Sequence, residues 1–114
     1  MTIPELFQNY CFHDSIFKNI CINDETAQRS VWCQFCNFLQ KNYQNSQPTN
    51  SDIFITFKNA KFSQYISDCS VIDQKLIDDH TIWFFLANQD NSDCFEFVIS
   101  ADSGEIEIVR EYNL

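Results

Sequence analysis

The chain is 114 residues long, which fits a single domain over residues 1–114, and 45% of its residues are hydrophobic, enough for a core that needs neither a metal ion nor a disulfide. Sixteen acidic residues against seven basic ones give a formal net charge of −9, so binding to nucleic acids or to anionic membrane surfaces is not expected. No apolar run approaches the roughly 20 residues that cross a bilayer, and no leader sequence is recognisable, which predicts a cytoplasmic protein with reduced cysteines.

The first third of the chain predicts a short helix, a strand and a segment of ambiguous period. The helix is expected over residues 3–10, because Thr2 can cap it and Pro4 suits its first turn. A strand is expected over residues 16–22. Residues 29–40 satisfy both the helical and the strand period, and their aromatic and β-branched side chains favour a strand.

The middle of the chain predicts one clear strand between less regular segments. Residues 41–52 are rich in Asn, Gln and Ser and read as an exposed loop. Residues 52–57 alternate as a strand. Residues 61–66 are expected to form a short helix or an irregular cover for the sheet, and residues 71–78 show mixed spacing.

Residues 81–109 predict three consecutive strands around which the rest of the chain is expected to be organised. The segment 82–86 is wholly apolar, so it should be covered on both faces and lie in the middle of the sheet. In the segments 94–99 and 105–109 apolar and polar side chains alternate, as in strands with one solvent-exposed face. Gly104 suits a hairpin with a left-handed residue or a bulge. The predicted fold class is α+β: an antiparallel meander sheet of about six or seven strands with an N-terminal helix packed on it.

Cys33 and Cys36 form the Trp-Cys-x-x-Cys pattern that is redox-active in thioredoxin-like proteins. That context requires a strand before the pair and a later proline facing it, whereas residues 24–30 are polar and no proline follows Pro48. Reduced thiols with a structural role are therefore the favoured interpretation, and a thiol-redox enzyme is the alternative. A zinc site would need two more ligands near the pair, so we expect no metal and no cofactor.

His13 and Asp14 could be read as an acid-base pair. Neighbours on an extended chain face opposite ways, so we expect Asp14 and Ser15 to bond backbone amides at the entry to a strand and His13 to bond a neighbouring loop. A chain with one glycine cannot form a glycine-rich phosphate loop, and no Gly-x-Ser-x-Gly segment occurs. We therefore predict that the protein is not an enzyme.

Two segments of the chain carry a resemblance to a known group of proteins. The segment Phe12-His13-Asp14-Ser15, with Ile20 after it, and the run from Ile53 to Ala60 resemble small bacterial domains of uncharacterised function that have a His-Asp-Ser or His-Asp-Ala signature near the N-terminus. Some of those domains look like immunity proteins found beside polymorphic toxins. The resemblance implies a role in protein binding, and it implies no catalytic residues.

Charge and resemblance together predict a non-enzymatic, acidic binding protein whose partner is a protein, with an immunity protein that neutralises a basic toxin as its most specific form. Candidate partner-binding residues are the aromatic Trp32 and four aspartates in predicted turns: Asp78, Asp79, Asp90 and Asp93. A self-associating structural module is the remaining alternative, because exposed aromatic side chains can pair subunits.

Overall fold

The structure, a computed structural model, describes residues 1–26 and 28–114. Within these residues the chain forms an N-terminal helix, a single turn of 3-10 helix and eight strands. The helix α1 spans Ile3–Asn9, and the 3-10 turn spans Asn37–Leu39. The strands are β1 Ile16–Asn23, β2 Gln28–Cys36, β3 Asn50–Lys58, β4 Lys61–Phe62, β5 Ser67–Asp78, β6 Thr81–Asn88, β7 Cys94–Ser100 and β8 Ser103–Tyr112.

All eight strands belong to one antiparallel sheet in the order β4-β7-β6-β5-β1-β2-β3-β8. The antiparallel sheet with one N-terminal helix confirms the predicted α+β class, but the expected number of six or seven strands is wrong. The difference arises at two strands. β4 has only two residues, too few to show a strand pattern. β5 has register shifts between Val71 and Asp73 and between Leu76 and Asp78, and these shifts break the alternation by which a strand is recognised in a sequence.

The sheet consists of two meanders joined side by side instead of one continuous meander. β1, β2 and β3 form the first, β5, β6 and β7 form the second, and β1 pairs with β5 between them. The last strand, β8, leaves β7 and pairs with β3 along its whole length. The apolar strand β6 lies between β5 and β7, which confirms that it is an interior strand of the sheet. Its outer side chains, Trp83 and Phe85, are only half-buried, so one face of β6 is fully covered and the other is not.

The core lies between α1 and one face of the sheet, which we call the inner face. The helix contacts β8 as well as β5 and β6, which are several strands away in the sheet order, so the sheet curls around the helix. The curl brings the edge strand β4 close to β3 as well as to its sheet neighbour β7. There the Phe62 ring lies 6.0 Å from the Phe57 ring and 5.5 Å from the Phe97 ring, measured between ring centroids.

Helix α1 is capped as the sequence predicts and packs onto β8 at a glycine. The Thr2 hydroxyl accepts a hydrogen bond from the Glu5 amide at 3.2 Å, and Ile3 and Leu6 are fully buried. A Cβ atom on Gly104 would lie 2.9 Å from Cδ2 of Leu6. Gly104 does not have a positive φ, so the predicted left-handed residue in a hairpin is wrong. The glycine instead allows the helix to approach the strand closely.

The ambiguous segment 29–40 divides into two structures. The strand alternative holds up to Cys36, where β2 ends, and the chain then makes the 3-10 turn. Val31, Cys33 and Phe35 are buried on the inner face, and Trp32 lies on the outer face. Residues 40–49 form the predicted loop, but its expected continuation is wrong, because Asn50 and Ser51 already belong to β3 and are buried.

Candidate functional site

Trp32 lies in the middle of β2 on the outer face of the sheet and is partly exposed. Its ring packs edge-on against the ring of Phe54, the residue opposite it on β3, with 4.3 Å between the centroids. Asn19 is its partner on β1, and Glu107 lies next to Phe54 on β8. Trp32 therefore stabilises the pairing of β2 with β3, and Phe54 lies between it and the Glu107 carboxylate.

The four candidate aspartates occupy two turns at opposite ends of β6. Asp78 and Asp79 precede the strand, and Asp90 and Asp93 follow it. An eight-residue strand is roughly 25 Å long, so the structure does not bring the two pairs together. It also leaves both pairs outside the immediate neighbourhood of Trp32, whose strand neighbours are on β1 and β3.

Two of these aspartates stabilise the turns in which they lie. The Asp78 carboxylate accepts a hydrogen bond from the His80 amide at 2.8 Å, and the Asp90 carboxylate accepts one from the Ser92 amide at 2.9 Å. The hydrogen bond from His80 favours the charged carboxylate and lowers the pKa of Asp78, and the Ser92 hydroxyl together with the Ser92 amide lowers the pKa of Asp90. All four aspartates are exposed, so their negative charges are available at the surface at neutral pH.

Most of the acidic side chains are not neutralised by a neighbour. Of the 16 acidic residues, only four form an ion pair within the residues that the structure describes: Asp14, Asp52, Asp68 and Glu105. The other twelve leave a negative field that is spread over the turns and the outer surface, which attracts a basic partner.

The thiols of Cys33 and Cys36 are buried and have no feature of a reactive pair. Burial raises the pKa of Cys33 well above its usual value, and burial also raises the pKa of Cys36. Cys33 lies within β2, and Cys36 at its end is followed only by the single 3-10 turn, so the pair does not stand at the start of an α-helix, which activates such a thiol in redox proteins. A neutral, buried thiol is a poor nucleophile, which argues against thiol chemistry here.

The His13-Asp14-Ser15 segment forms a tight turn that positions β1. Asp14 has a φ of 62°, and this turn brings its carboxylate to 3.3 Å from Nδ1 of His13. The expectation that these neighbours face apart is therefore wrong, because the chain is not extended at Asp14. Both side chains are exposed. The buried Ser15 hydroxyl accepts a hydrogen bond from the Cys36 amide at 3.1 Å, which confirms its predicted backbone contact.

An apolar cavity of about 290 Å³ opens on the inner face, between the loop after β2 and the strands β3 and β8. Aromatic and aliphatic side chains form most of its wall, and amides and one carboxylate form its rim. The principal wall residues are Tyr10, Phe35, Tyr43, Ile53, Ile106 and Ile108. No single stretch of the sequence signals this cavity, because its wall comes from four separate segments of the chain.

Gln40 separates this cavity from a second one. The Gln40 side chain accepts a hydrogen bond from the Cys11 amide at 2.9 Å and donates to the carbonyls of Cys11 at 2.8 Å and Cys36 at 2.9 Å. These three contacts hold the loop after β2 against the segment after α1. The second cavity, of about 430 Å³, lies between that segment, the helix and β5, and it shares Tyr10 and Gln40 with the first.

No cluster of three or more His, Cys, Asp or Glu residues that could hold a metal ion occurs within residues 1–26 and 28–114. Over the same part of the chain, no helix has the length and apolar character needed to cross a membrane. Comparisons with protein-family models, with curated proteins and with solved structures find no match for this chain.

Proposed function

We propose that this protein is a non-enzymatic, acidic binding protein of the cytoplasm whose partner is a basic protein. The observation that carries the proposal is the surface charge: the net charge is −9, and twelve acidic residues have no ion-pair partner among the described residues. A field of this kind accelerates association with a positively charged surface and disfavours acidic competitors. An immunity protein that covers a basic toxin domain is the most specific form of this function.

The buried, neutral thiols favour a binding role over the alternative of a thiol-redox enzyme. A nucleophilic cysteine needs a lowered pKa and access to solvent, whereas burial raises the pKa of Cys33 and leaves the residue inaccessible. The exposed pair of His13 and Asp14 lies outside both cavities. A group that acts on a substrate would be expected to face a pocket.

The test uses a candidate basic partner, for which we choose the product of the adjacent gene. The association rate is measured by surface plasmon resonance at about 50 mM and about 300 mM salt, and we expect it to fall by at least tenfold at the higher concentration. Complete absence of binding, or a rate that does not change with salt, would refute the proposal.

Charge-removing variants then distinguish local contacts from the overall field. Asp78→Asn with Asp79→Asn removes two charges at one turn, and Asp90→Asn with Asp93→Asn removes two at another. The matched control is Asp24→Asn with Glu25→Gln in the exposed turn between β1 and β2. If a candidate turn lies in the interface, its variant lowers the association rate more than the control does. Equal effects from all three variants would assign the attraction to the net charge alone and reject both turns as contact sites.

A further inference from the structure

We propose that the open edge of β8 receives an extended segment of a partner protein as an additional strand, with an apolar side chain of that segment in the 290 Å³ cavity. The expected segment alternates basic and apolar residues. This inference takes one premise from the proposed function, that the partner is basic. It adds where the partner binds and how it is recognised.

The backbone of β8 offers unpaired hydrogen-bonding groups at this edge. Among the described strands, β8 has β3 on one side and no strand on the other. The amide of Gly104 donates to the Met1 carbonyl at 3.0 Å, away from β3. Because backbone groups alternate in direction along a strand, the N–H and C=O groups of Ile106 and Ile108 also point away from β3. An incoming strand can therefore continue from the position where Met1 already bonds the edge.

The side chains next to these backbone groups line the cavity and are incompletely covered. Ile108 is 57% exposed, although Ile53, which lies opposite it on β3, is only 1% exposed. Val109, the extra residue at the register shift, is 53% exposed. The cavity volume of 290 Å³ is slightly below the range of small-molecule pockets, which begins at about 300 Å³. The cavity therefore suits a single side chain. An added strand would cover Ile108 and fill this cavity at the same time.

The charges along β8 favour a basic segment over a second copy of this chain. Glu105, which is paired with the Met1 ammonium, and Glu107, which has no ion-pair partner among the described residues, lie on the outer side of the strand, and Glu111 lies at the cavity. The one basic residue of β8, Arg110, is already paired with Asp52 at 3.0 Å. Opposite charges across neighbouring strands stabilise pairing, and like charges oppose it.

Antiparallel pairing of two β8 strands would bring like charges together. Pairing centred on Ile106 places Glu105 opposite Glu107 of the other copy, and pairing centred on Glu107 places that residue opposite its own copy. A lysine or arginine at each outer position of a partner segment would instead face a carboxylate. The structure therefore favours a heterologous, basic strand.

The first experiment uses the full chain, labelled with ¹⁵N, and a seven-residue peptide in which lysine alternates with valine. We expect the largest amide shifts at Ile106 and Ile108, together with slower hydrogen exchange at both amides. The matched peptide with glutamate in place of lysine should bind at least tenfold more weakly, because each outer pair changes from attractive to repulsive. Shifts centred on Trp32 or on the aspartate turns, or no protection at Ile106 and Ile108, would overturn the proposal.

The second experiment removes one outward N–H group. Ile108→Pro deletes that donor at an edge position where proline is tolerated, and Ile108→Ala shortens the side chain but keeps the donor. We expect the proline variant to lose at least tenfold in peptide affinity and the alanine variant to lose less. Equal affinities of the wild type and a folded proline variant would refute strand addition. If the proline variant does not fold, the hydrogen-exchange result on the wild type decides.

The two proposals fail in different ways. A basic partner that binds with salt dependence to Ile108→Pro as well as to the wild type would keep the proposed function and reject the β8 edge as its site. A doubled mass in light scattering of the wild type, reduced to the monomer mass by Ile108→Pro, would assign the edge to a second copy and overturn the inference. Peptide binding at β8 without any basic protein partner would reject only the proposed function.

Discussion

Replacing Gly104 with alanine should destabilise the protein through a clash with helix α1. The new Cβ atom would lie 2.9 Å from Cδ2 of Leu6 and 3.3 Å from the ring of Phe57. Overpacking a core typically costs about 1–3 kcal/mol, and exchanging a strand glycine for alanine returns about 0.5–1 kcal/mol. We therefore expect the free energy of unfolding to fall by roughly 1 kcal/mol.

The same Gly104→Ala substitution is also made in a Leu6→Val variant, which lacks the δ-carbons that the new Cβ atom would meet. Leu6→Val alone should cost about 1 kcal/mol through the lost burial, since Leu6 is fully buried. In that background Gly104→Ala should cost at least about 0.5 kcal/mol less than in the wild type, because the clash is gone. Urea unfolding followed by circular dichroism measures both differences.

Equal costs of Gly104→Ala in the two backgrounds would refute the reasoning, because the clash would then not involve Leu6. A stabilising effect of Gly104→Ala in the wild type would also contradict it. Glu107→Ala is the control on the same strand, since Glu107 is exposed on the outer face and its replacement should change the free energy of unfolding by no more than about 0.5 kcal/mol.

Three further predictions concern the predicted motif residues. Ser15→Ala leaves the buried Cys36 amide without its acceptor and should cost about 1–3 kcal/mol in urea unfolding, whereas a neutral result would show that another acceptor replaces the hydroxyl. Cys33, with its raised pKa and complete burial, should be alkylated at pH 7 only after unfolding, whereas the exposed Cys21 and Cys94 react in the native protein; rapid labelling of Cys33 itself, located by peptide mapping in mass spectrometry, would contradict this. Because the folded pKa values of Asp78 and Asp90 are lowered, their stabilising effect is present above about pH 4 and is lost as the pH falls through those lowered values. The double variant Asp78→Asn, Asp90→Asn should therefore lose less stability than the wild type between pH 5 and pH 2 in urea titrations, and parallel curves would refute the assignment.

The strands that alternate clearly were predictable, and the strands that do not were missed or left open. The inner and outer positions of β3 and β8 follow the period of their side chains, and the N-cap of α1 follows from Thr2. β5 has twelve residues, but its register shifts and polar side chains hide the period. The strand β8 was expected beside β7 because it follows β7 in sequence, yet it pairs with β3.

The candidate site was less predictable than the fold. The four aspartates are exposed and Trp32 is half-buried, but the two aspartate turns lie at opposite ends of β6. The cavity joins residues as distant in sequence as Tyr10 and Ile108. No spacing within one segment signals such a wall.

The amino-acid sequence alone determined the class of the fold, the capped helix and the acidic surface, because side-chain period, capping and charge are properties of neighbouring residues. The tertiary structure alone decided which strands are neighbours, that the edge of β8 stays open, and that Gly104 serves the approach of Leu6. These features depend on hydrogen bonds and close packing between residues far apart in the chain, and such contacts leave no periodic mark on the segments that make them.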